Sequence, residues 1–145
     1  DAHRPGVFSA GVGFTCVPLA SLDAVRRARP NLAQWGAILP ADHANAFVYA
    51  RGGEREGTHF RARMFAPDLG VGEDPATGSA AAAFAGALTA FEEPPDGEHV
   101  AVIEQGFEMG RPSVVTLGLV IENEALVSAS IGGAAVVVMQ GTIDA

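Results

Sequence analysis

Apolar and polar side chains alternate in the middle of the chain in a way that predicts a β-strand. Within His59–Ala66, all four even-numbered residues are apolar, whereas Arg61 and Arg63 lie on the opposite face. A period of two is typical of a strand with one buried face. We therefore expect residues 59–66 to form a half-buried strand.

The stretch Pro75–Phe91 contains 17 consecutive residues without a charge. Ala dominates it and is the best helix former, so we expect a helix over about residues 79–91 despite Gly86. A surface helix carries a polar stripe, which this segment lacks, and the helix should therefore be buried on nearly all sides. Most of its side chains are single methyl groups, so neighbouring backbone can come close. The pattern predicts a small-residue helix wrapped by a sheet.

Most of the remaining chain is predicted to be strand. One or two strands are expected at residues 7–18, and single strands at Trp35–Leu39, Ala46–Ala50, His99–Glu104, Ser113–Ile121, Ala125–Ile131 and Ala134–Gln140. Two-residue turns at Asn123-Glu124 and Gly132-Gly133 would join the last three strands into an antiparallel meander.

A short helix is expected near the start of the chain. It would begin after the N-cap Ser21 and run through Arg29, where Pro30 ends it. An exposed acidic loop is expected at residues 92–97. Since no linker divides residues 1–145, the sequence predicts a single α+β domain with a mostly antiparallel sheet.

Charge and composition narrow the possible partners. The chain has 145 residues, 48% of them hydrophobic and only 18% charged, which excludes a disordered protein. Nine cations, all Arg, stand against 17 anions and give a net charge of −8. Nucleic acids bind protein surfaces with clustered positive charge, and an excess of anions does not favour such a surface. Nucleic acids are therefore poor partners for this chain. No run approaches the ~20 apolar residues that a membrane helix needs.

Several common catalytic motifs do not occur. The absence of Lys excludes Schiff-base chemistry and a P-loop, and there is no Gly-x-Ser-x-Gly elbow. The four histidines, including His43, are scattered without metal-ligand spacing, so we expect no metal site. Cys16 lies in a predicted strand and fits a buried small hydrophobe better than a nucleophile. Arg111 can bind an anion, but an ion pair with Glu104 or Glu108 is the better interpretation.

The candidate site is Glu73–Ala80, at the entrance to the uncharged helix. A helix N-terminus has unpaired N–H groups and a positive partial charge, which suit a carboxylate or phosphate. Gly78 and Ser79 are small enough for a ligand to approach those groups, and Asp74 can act as acid, base or anchor. The alternative is an ordinary helix start, with Asp74 as N-cap and a proline at the first helical position, or with Thr77 as the cap.

At this point the residues resemble a known family. Met64–Pro67 followed by Gly72–Ala80 resembles the signature of the PhzF-type phenazine biosynthesis family. Glu104–Gly106 and Glu108–Ser113 resemble its second marker, and Ile131–Val136 is similar to its final hairpin. Three markers in order, over nearly the whole chain, make the resemblance specific.

The resemblance implies a diaminopimelate-epimerase-like fold with two similar lobes, each a sheet curled around a central helix. The chain matches the C-terminal lobe only. A cofactor-independent isomerase is implied, with an active site between the lobes that shifts a proton on a small carboxylate-bearing metabolite. In the phenazine pathway that metabolite is a dihydro-hydroxyanthranilate. We expect a bacterial, cytoplasmic protein that forms a homodimer.

Few residue roles carry over from the family. Asp74 matches the family's site aspartate, which contacts polar groups of the substrate and assists proton transfer, and Ser79 matches the serine of the signature. The amides of Gly78 and Ser79 would receive the substrate carboxylate. The glutamate that is the family's main acid/base belongs to the N-terminal lobe, as does a Gly-His-Ala-Thr motif, and neither occurs here.

That departure leaves alternatives open. The missing N-terminal lobe, or a partner chain, would have to supply the base. The chain does not begin with Met, so we expect either that it starts partway through a longer protein or that a tag and leader were removed. Otherwise it is a stand-alone, non-catalytic binding or dimerisation module. A third hypothesis pairs two identical lobes and sets two Asp74 carboxylates across a cleft.

Overall fold

The structure of the protein is a computed structural model that describes residues 3–39, 42 and 44–143. Its strands are β1 (Gly6–Ala10), β2 (Val12–Pro18), β3 (Ala46–Arg51), β4 (Phe60–Ala66), β5 (Val71–Asp74), β6 (Gly97–Gln105), β7 (Ser113–Glu122) and β8 (Ala125–Gly133). Its α-helices are α1 (Leu22–Arg27), α2 (Trp35–Ile38) and α3 (Gly78–Glu92). None of the helices in these ranges is long and apolar enough to cross a membrane.

The strands form one mixed sheet in the order β1-β2-β3-β4-β6-β7-β8, with β5 paired to β4. The β2–β3 and β4–β6 pairs are parallel, and the other pairs are antiparallel. Helix α3 contacts β1 and β2 near one end of this order and β7 and β8 at the other end. A flat sheet cannot bring both of its ends to one helix, so the sheet curls around α3.

Helix α3 is buried along most of its length. Its fully buried residues are Ala80, Ala81, Ala83, Phe84, Ala85, Ala87 and Leu88. A β-carbon at Gly86 would lie 2.9 Å from the Phe8 ring, so β1 packs directly on the helix backbone there. Phe84 is the largest of the buried helix side chains, and its ring meets those of Tyr49 and Phe60 at centroid distances of 4.5 and 5.1 Å. Small side chains around one aromatic ring let the neighbouring strands come close to this helix.

Strand β4 is buried on both faces, so the expectation of a half-buried strand is wrong. Arg61 and Arg63 are only 4% and 3% exposed. Guanidinium groups tolerate burial when carboxylates and carbonyls satisfy their N–H groups. Arg61 donates to Glu104 at 3.0 Å and to Glu108 at 2.9 Å. The alternation predicted the strand correctly. It could not show that the arginines of its polar face are buried in ion pairs, because a local pattern contains no information on distant partners.

Glu104 is the most satisfied carboxylate in this cluster. It is fully buried and accepts hydrogen bonds from the backbone amides of Glu54 and Arg55, from the Thr58 hydroxyl and from Arg61. Burial alone would raise the pKa of Glu104, but these hydrogen bonds lower it below its ordinary value. The loop between β3 and β4 is thereby fastened to β6. Within the described residues both Glu104 and Glu108 pair with Arg61 and neither pairs with Arg111, so the ion pair expected for Arg111 is wrong.

Two predicted strands are wrong. Trp35–Leu39 contains the short helix α2, where the Leu39 amide donates to the Trp35 carbonyl. A short apolar run does not distinguish helix from strand. Ala134–Gln140 forms no strand, although it lies within the described residues. Its valines and methionine are 83–89% exposed, and a strand needs a neighbouring strand to satisfy its backbone.

The turn predictions had mixed outcomes. Gly132 and Gly133 belong to β8 and pair with Thr116 and Val115, so no hairpin turn forms there. Asn123 and Glu124 do form the turn between β7 and β8, with φ of 52° and 64°, and both of their amides donate to Asp96.

The start of α1 is as predicted, since the Ser21 hydroxyl accepts from the Ala24 amide at 3.1 Å. The helix itself ends two residues before Arg29, at Arg27. Residues 7–18 contribute two strands, separated by Gly11 with φ of 95°.

Enlarging a methyl side chain of α3 should destabilise the fold. Ala83 is 2% exposed, so Ala83→Leu forces extra carbons into a closed interior and should cost about 1–3 kcal/mol of unfolding free energy. Ala90 is exposed on the same helix, and Ala90→Leu should change that free energy by less than about 0.5 kcal/mol. Urea denaturation of both variants measures the difference. Equal stabilities would contradict an enclosed helix.

The Glu104 cluster should govern part of the acid stability. A carboxyl with a lowered folded pKa stabilises the fold above its unfolded pKa and loses that contribution as the pH falls through the folded value. Glu104→Gln should therefore lower the unfolding free energy by about 2 kcal/mol at pH 7. Between about pH 5 and 3, the unfolding free energy of this variant should also fall less steeply with decreasing pH than that of the wild type. Glu98→Gln, an exposed site on the same strand, should leave both unchanged. If the stability of Glu104→Gln falls as steeply with decreasing pH as that of the wild type, Glu104 does not govern the acid stability.

Candidate active site at the start of α3

The two adjacent carboxylates at the end of β5 point in different directions, as expected of neighbours on a strand. Glu73 forms a two-pronged ion pair with Arg63, with both N–O distances at 2.8 Å. Arg63 also donates to the carbonyls of Val25, Arg26 and Ala28 at the end of α1. Glu73 is therefore a structural residue, and its ion pair holds β5 in place so that Asp74 faces the start of α3.

Asp74 is not the N-cap of the helix. The N-cap position belongs to Thr77, and the Thr77 side chain makes no capping hydrogen bond. Instead the Thr77 hydroxyl donates to Asp74 Oδ2 at 2.5 Å. Of the two caps that the sequence allowed, Thr77 therefore occupies the N-cap position and Asp74 does not, but the Thr77 side chain does not cap the helix. The side chain best placed for capping is turned back to hold a carboxylate.

As a consequence, no side chain among the described residues pairs with the first amides of α3. The first hydrogen bond inside the helix runs from the Ala81 amide to the Thr77 carbonyl at 3.0 Å. Gly78 and Ser79 are both exposed at this end, in contrast to the enclosed residues that follow. Unpaired N–H groups at a helix N-terminus attract anions.

The end of strand β6 contacts the Asp74–Thr77 turn before α3 and holds it in place. The buried Gln105 side chain accepts from the Thr77 amide at 3.2 Å and donates to the Asp74 carbonyl at 2.7 Å. Next to it, a β-carbon at Gly106 would lie 2.6 Å from the Pro75 carbonyl oxygen and 2.4 Å from that of Arg111. Only glycine fits there, and its φ of 79° also favours glycine.

Asp74, Thr77 and Ser79 line one groove of about 350 Å³. The rest of its lining is mostly apolar and comprises Val12, Phe14, Asn45, Met64, Ala66, Leu69 and Val71. An apolar groove with a few convergent polar groups is typical of a small-molecule site. The structure thus brings Asp74, Thr77 and Ser79 together, whereas Gly78 is exposed next to Ser79 and does not line the groove. The roles of Gln105 and Arg63 were missed because their contacts are not local in sequence.

Other sequence candidates have structural explanations. Cys16 is fully buried, and burial raises the pKa of its thiol to about 12, so it is a poor nucleophile. His59 accepts from the Val102 amide, and His99 is hydrogen-bonded to the Pro95 carbonyl. His43 lies outside the described residues. Within the described ranges, no group of three or more His, Cys, Asp or Glu side chains is arranged to hold a metal ion.

Comparison with known proteins extends these observations. The chain is 43% identical over 147 residues to an uncharacterized isomerase of Mesorhizobium japonicum, covering 99% of the chain and 49% of that protein. It is 49% identical over 57 residues to the trans-2,3-dihydro-3-hydroxyanthranilate isomerase of Pseudomonas aeruginosa, covering 39% of the chain and 20% of the relative. The chain therefore spans about half the length, or less, of these curated relatives.

Solved structures show the same fold. A PhzF-family phenazine biosynthesis protein of Bacillus anthracis superimposes with a TM-score of 0.73 at 23% identity, over 88% of the chain and 48% of that protein. One from Enterococcus faecalis gives a TM-score of 0.55 at 16% identity, over 91% of the chain and 48% of that protein. Residues 2–141 match the PhzC-PhzF family of phenazine biosynthesis-like proteins. The chain belongs to this family.

Proposed function

We propose that the groove at the start of α3 is the carboxylate-binding half of an isomerase active site. The observation that carries the proposal is the pairing of unpartnered helix amides with a half-buried carboxylate, Asp74, in one apolar groove. The family and the names of the isomerase relatives support the reaction class. The substrate would be a small metabolite with a carboxylate next to the carbon that changes its protonation.

The substrate carboxylate would bind the amides of Gly78 and Ser79. The helix fixes the direction of these amides. Their positive partial charge attracts an anion at this point, although the chain as a whole carries a net negative charge. The Ser79 hydroxyl would add a hydrogen bond at the same point. Because the amides do not have to reorganise when charge develops, they can stabilise an enolate-like intermediate as well as the substrate.

Asp74 would anchor a polar substituent of the substrate and assist proton transfer. Isomerisation by a proton shift removes a proton from one carbon, moves the double bond and returns a proton to another carbon, so no redox partner is needed. The apolar wall formed by residues such as Phe14 and Met64 would limit water access at the reacting carbons. The main acid/base would come from outside this chain.

The chain would thus be the C-terminal lobe of a diaminopimelate-epimerase-like protein, and residues 1–145 would form that single lobe. The enclosed helix α3 and the curled sheet support this assignment. The opposing lobe, or a partner chain, would close the groove and bring the glutamate. We expect the assembled protein to be a homodimer.

A second candidate function is a non-catalytic binding or dimerisation module. The observation that favours it is apolar exposure along one edge of the molecule. Val136–Met139 are 83–89% exposed, and Val127 and Ile131 on β8 are 53% and 41% exposed. Such a surface is typical of a contact with another protein segment. The two candidates differ in whether Asp74 matters for turnover.

Replacing Asp74 should abolish isomerisation. In the natural protein that contains this chain, we expect Asp74→Asn to lower kcat/KM at least about 100-fold, because the amide cannot exchange the same proton. The assay follows deuterium incorporation from D2O into trans-2,3-dihydro-3-hydroxyanthranilate or its product by NMR. Asp68→Asn, an exposed aspartate in the adjacent turn, is the matched control and should keep full activity.

Two outcomes would contradict the catalytic proposal. Unchanged turnover in Asp74→Asn would remove Asp74 from the chemistry. Absence of deuterium incorporation in the wild type, together with a stable dimer of 14.8 kDa chains by light scattering, would favour the dimerisation module.

A further inference from the structure

We propose that Gln105 and Thr77 are positioning residues that fix which oxygen of Asp74 is available for proton transfer. This inference rests on the proposed role of Asp74 in the groove. It concerns a short chain of hydrogen bonds that runs from the buried end of β6, through the Thr77 hydroxyl, to the carboxylate.

The orientation of the Gln105 carboxamide is set by the backbone. Gln105 is 1% exposed, its Oε1 accepts from the Thr77 amide, and its Nε2 donates to the Asp74 carbonyl. A flipped carboxamide would place N–H against N–H and oxygen against oxygen. Because both of these unfavourable contacts would be buried away from water, the flipped form is strongly disfavoured.

That orientation determines what the Thr77 hydroxyl does. The second hydrogen on Gln105 Nε2 is donated to Thr77 Oγ1 at 2.9 Å. The hydroxyl therefore acts as acceptor towards Gln105, and its single hydrogen is free for another acceptor. Asp74 Oδ2, at 2.5 Å, is that acceptor. The direction of donation runs from Gln105 to Thr77 and then to Asp74.

The two oxygens of the Asp74 carboxylate therefore differ in their hydrogen bonding. Oδ2 is held by Thr77, whereas within the described residues no group donates a hydrogen bond to Oδ1. Asp74 is half-buried and lines the groove with Thr77 and Ser79. The geometry assigns Oδ1 as the oxygen that meets the substrate. The hydroxyl bond to Oδ2 keeps the carboxylate from rotating out of that orientation.

Side-chain NMR of the labelled 145-residue chain tests this chain of hydrogen bonds without any turnover. We expect slowly exchanging Nε2 protons on Gln105, a visible Thr77 hydroxyl proton and a scalar coupling from that proton to the Asp74 carboxyl carbon. Thr77→Ser should keep the coupling. Gln105→Glu is nearly isosteric and cannot donate, so the Thr77 hydroxyl should turn towards the new carboxylate and the coupling should disappear.

Turnover in the natural protein provides the second measurement. Thr77→Val keeps the shape but loses the hydroxyl, and we expect kcat to fall about 10- to 100-fold with little change in KM. Thr77→Ser should restore kcat. A residue that only stabilised the fold would lower the fraction of active enzyme, and Thr77→Val at matched folded concentration would then keep its kcat.

The results separate this inference from the proposed function. If Asp74→Asn is fully active but the NMR coupling is present, the proposed function fails and the hydrogen-bond chain stands as a structural feature only. If Asp74→Asn is inactive while the coupling is absent or Thr77→Val keeps its kcat, the positioning role is overturned and the proposed function survives.

Discussion

Enclosure of α3 by the sheet is the constraint on which the rest of the structure depends. A helix can be surrounded at backbone distance only if its side chains are small, and Gly86 against Phe8 shows how close the approach is. The N-terminal end of the helix reaches solvent at Gly78 and Ser79, and Ala90 and Glu92 are exposed at its other end. The unpaired amides and the groove are therefore consequences of how the core packs.

Two distant parts of the sequence meet at that end. Gln105, the last residue of β6, and Gly106 after it hold the Asp74–Thr77 turn in place. Gln105 does so through its buried carboxamide, and Gly106 through a backbone approach that leaves no room for a side chain. This contact gives a physical reason for the two sequence markers to occur together. The second marker supplies no group to the groove, and it acts by holding the first marker in the conformation that leaves the helix amides open.

The sequence predicted those elements whose cause is local. The uncharged run gave the helix over residues 79–91, and the alternation gave the strand at residues 59–66. It did not predict the burial of Arg61 and Arg63, because their carboxylate partners are 10 to 47 residues away. The strand expected at Ala134–Gln140 is absent for the same kind of reason, since apolar content alone does not supply a neighbouring strand. Asp74 was found from its place before the helix, whereas Gln105 could be found only from three-dimensional contacts.

An NMR titration of the backbone amides tests whether the start of α3 binds a carboxylate. We expect anthranilate to shift the amide signals of Gly78 and Ser79 saturably, because its carboxylate binds the unpaired N–H groups. Neutral anthranilamide, which has the same ring and amine, should leave them nearly unchanged. Equal shifts with both compounds, or anthranilate shifts confined to other parts of the chain, would show that the start of α3 does not bind the carboxylate.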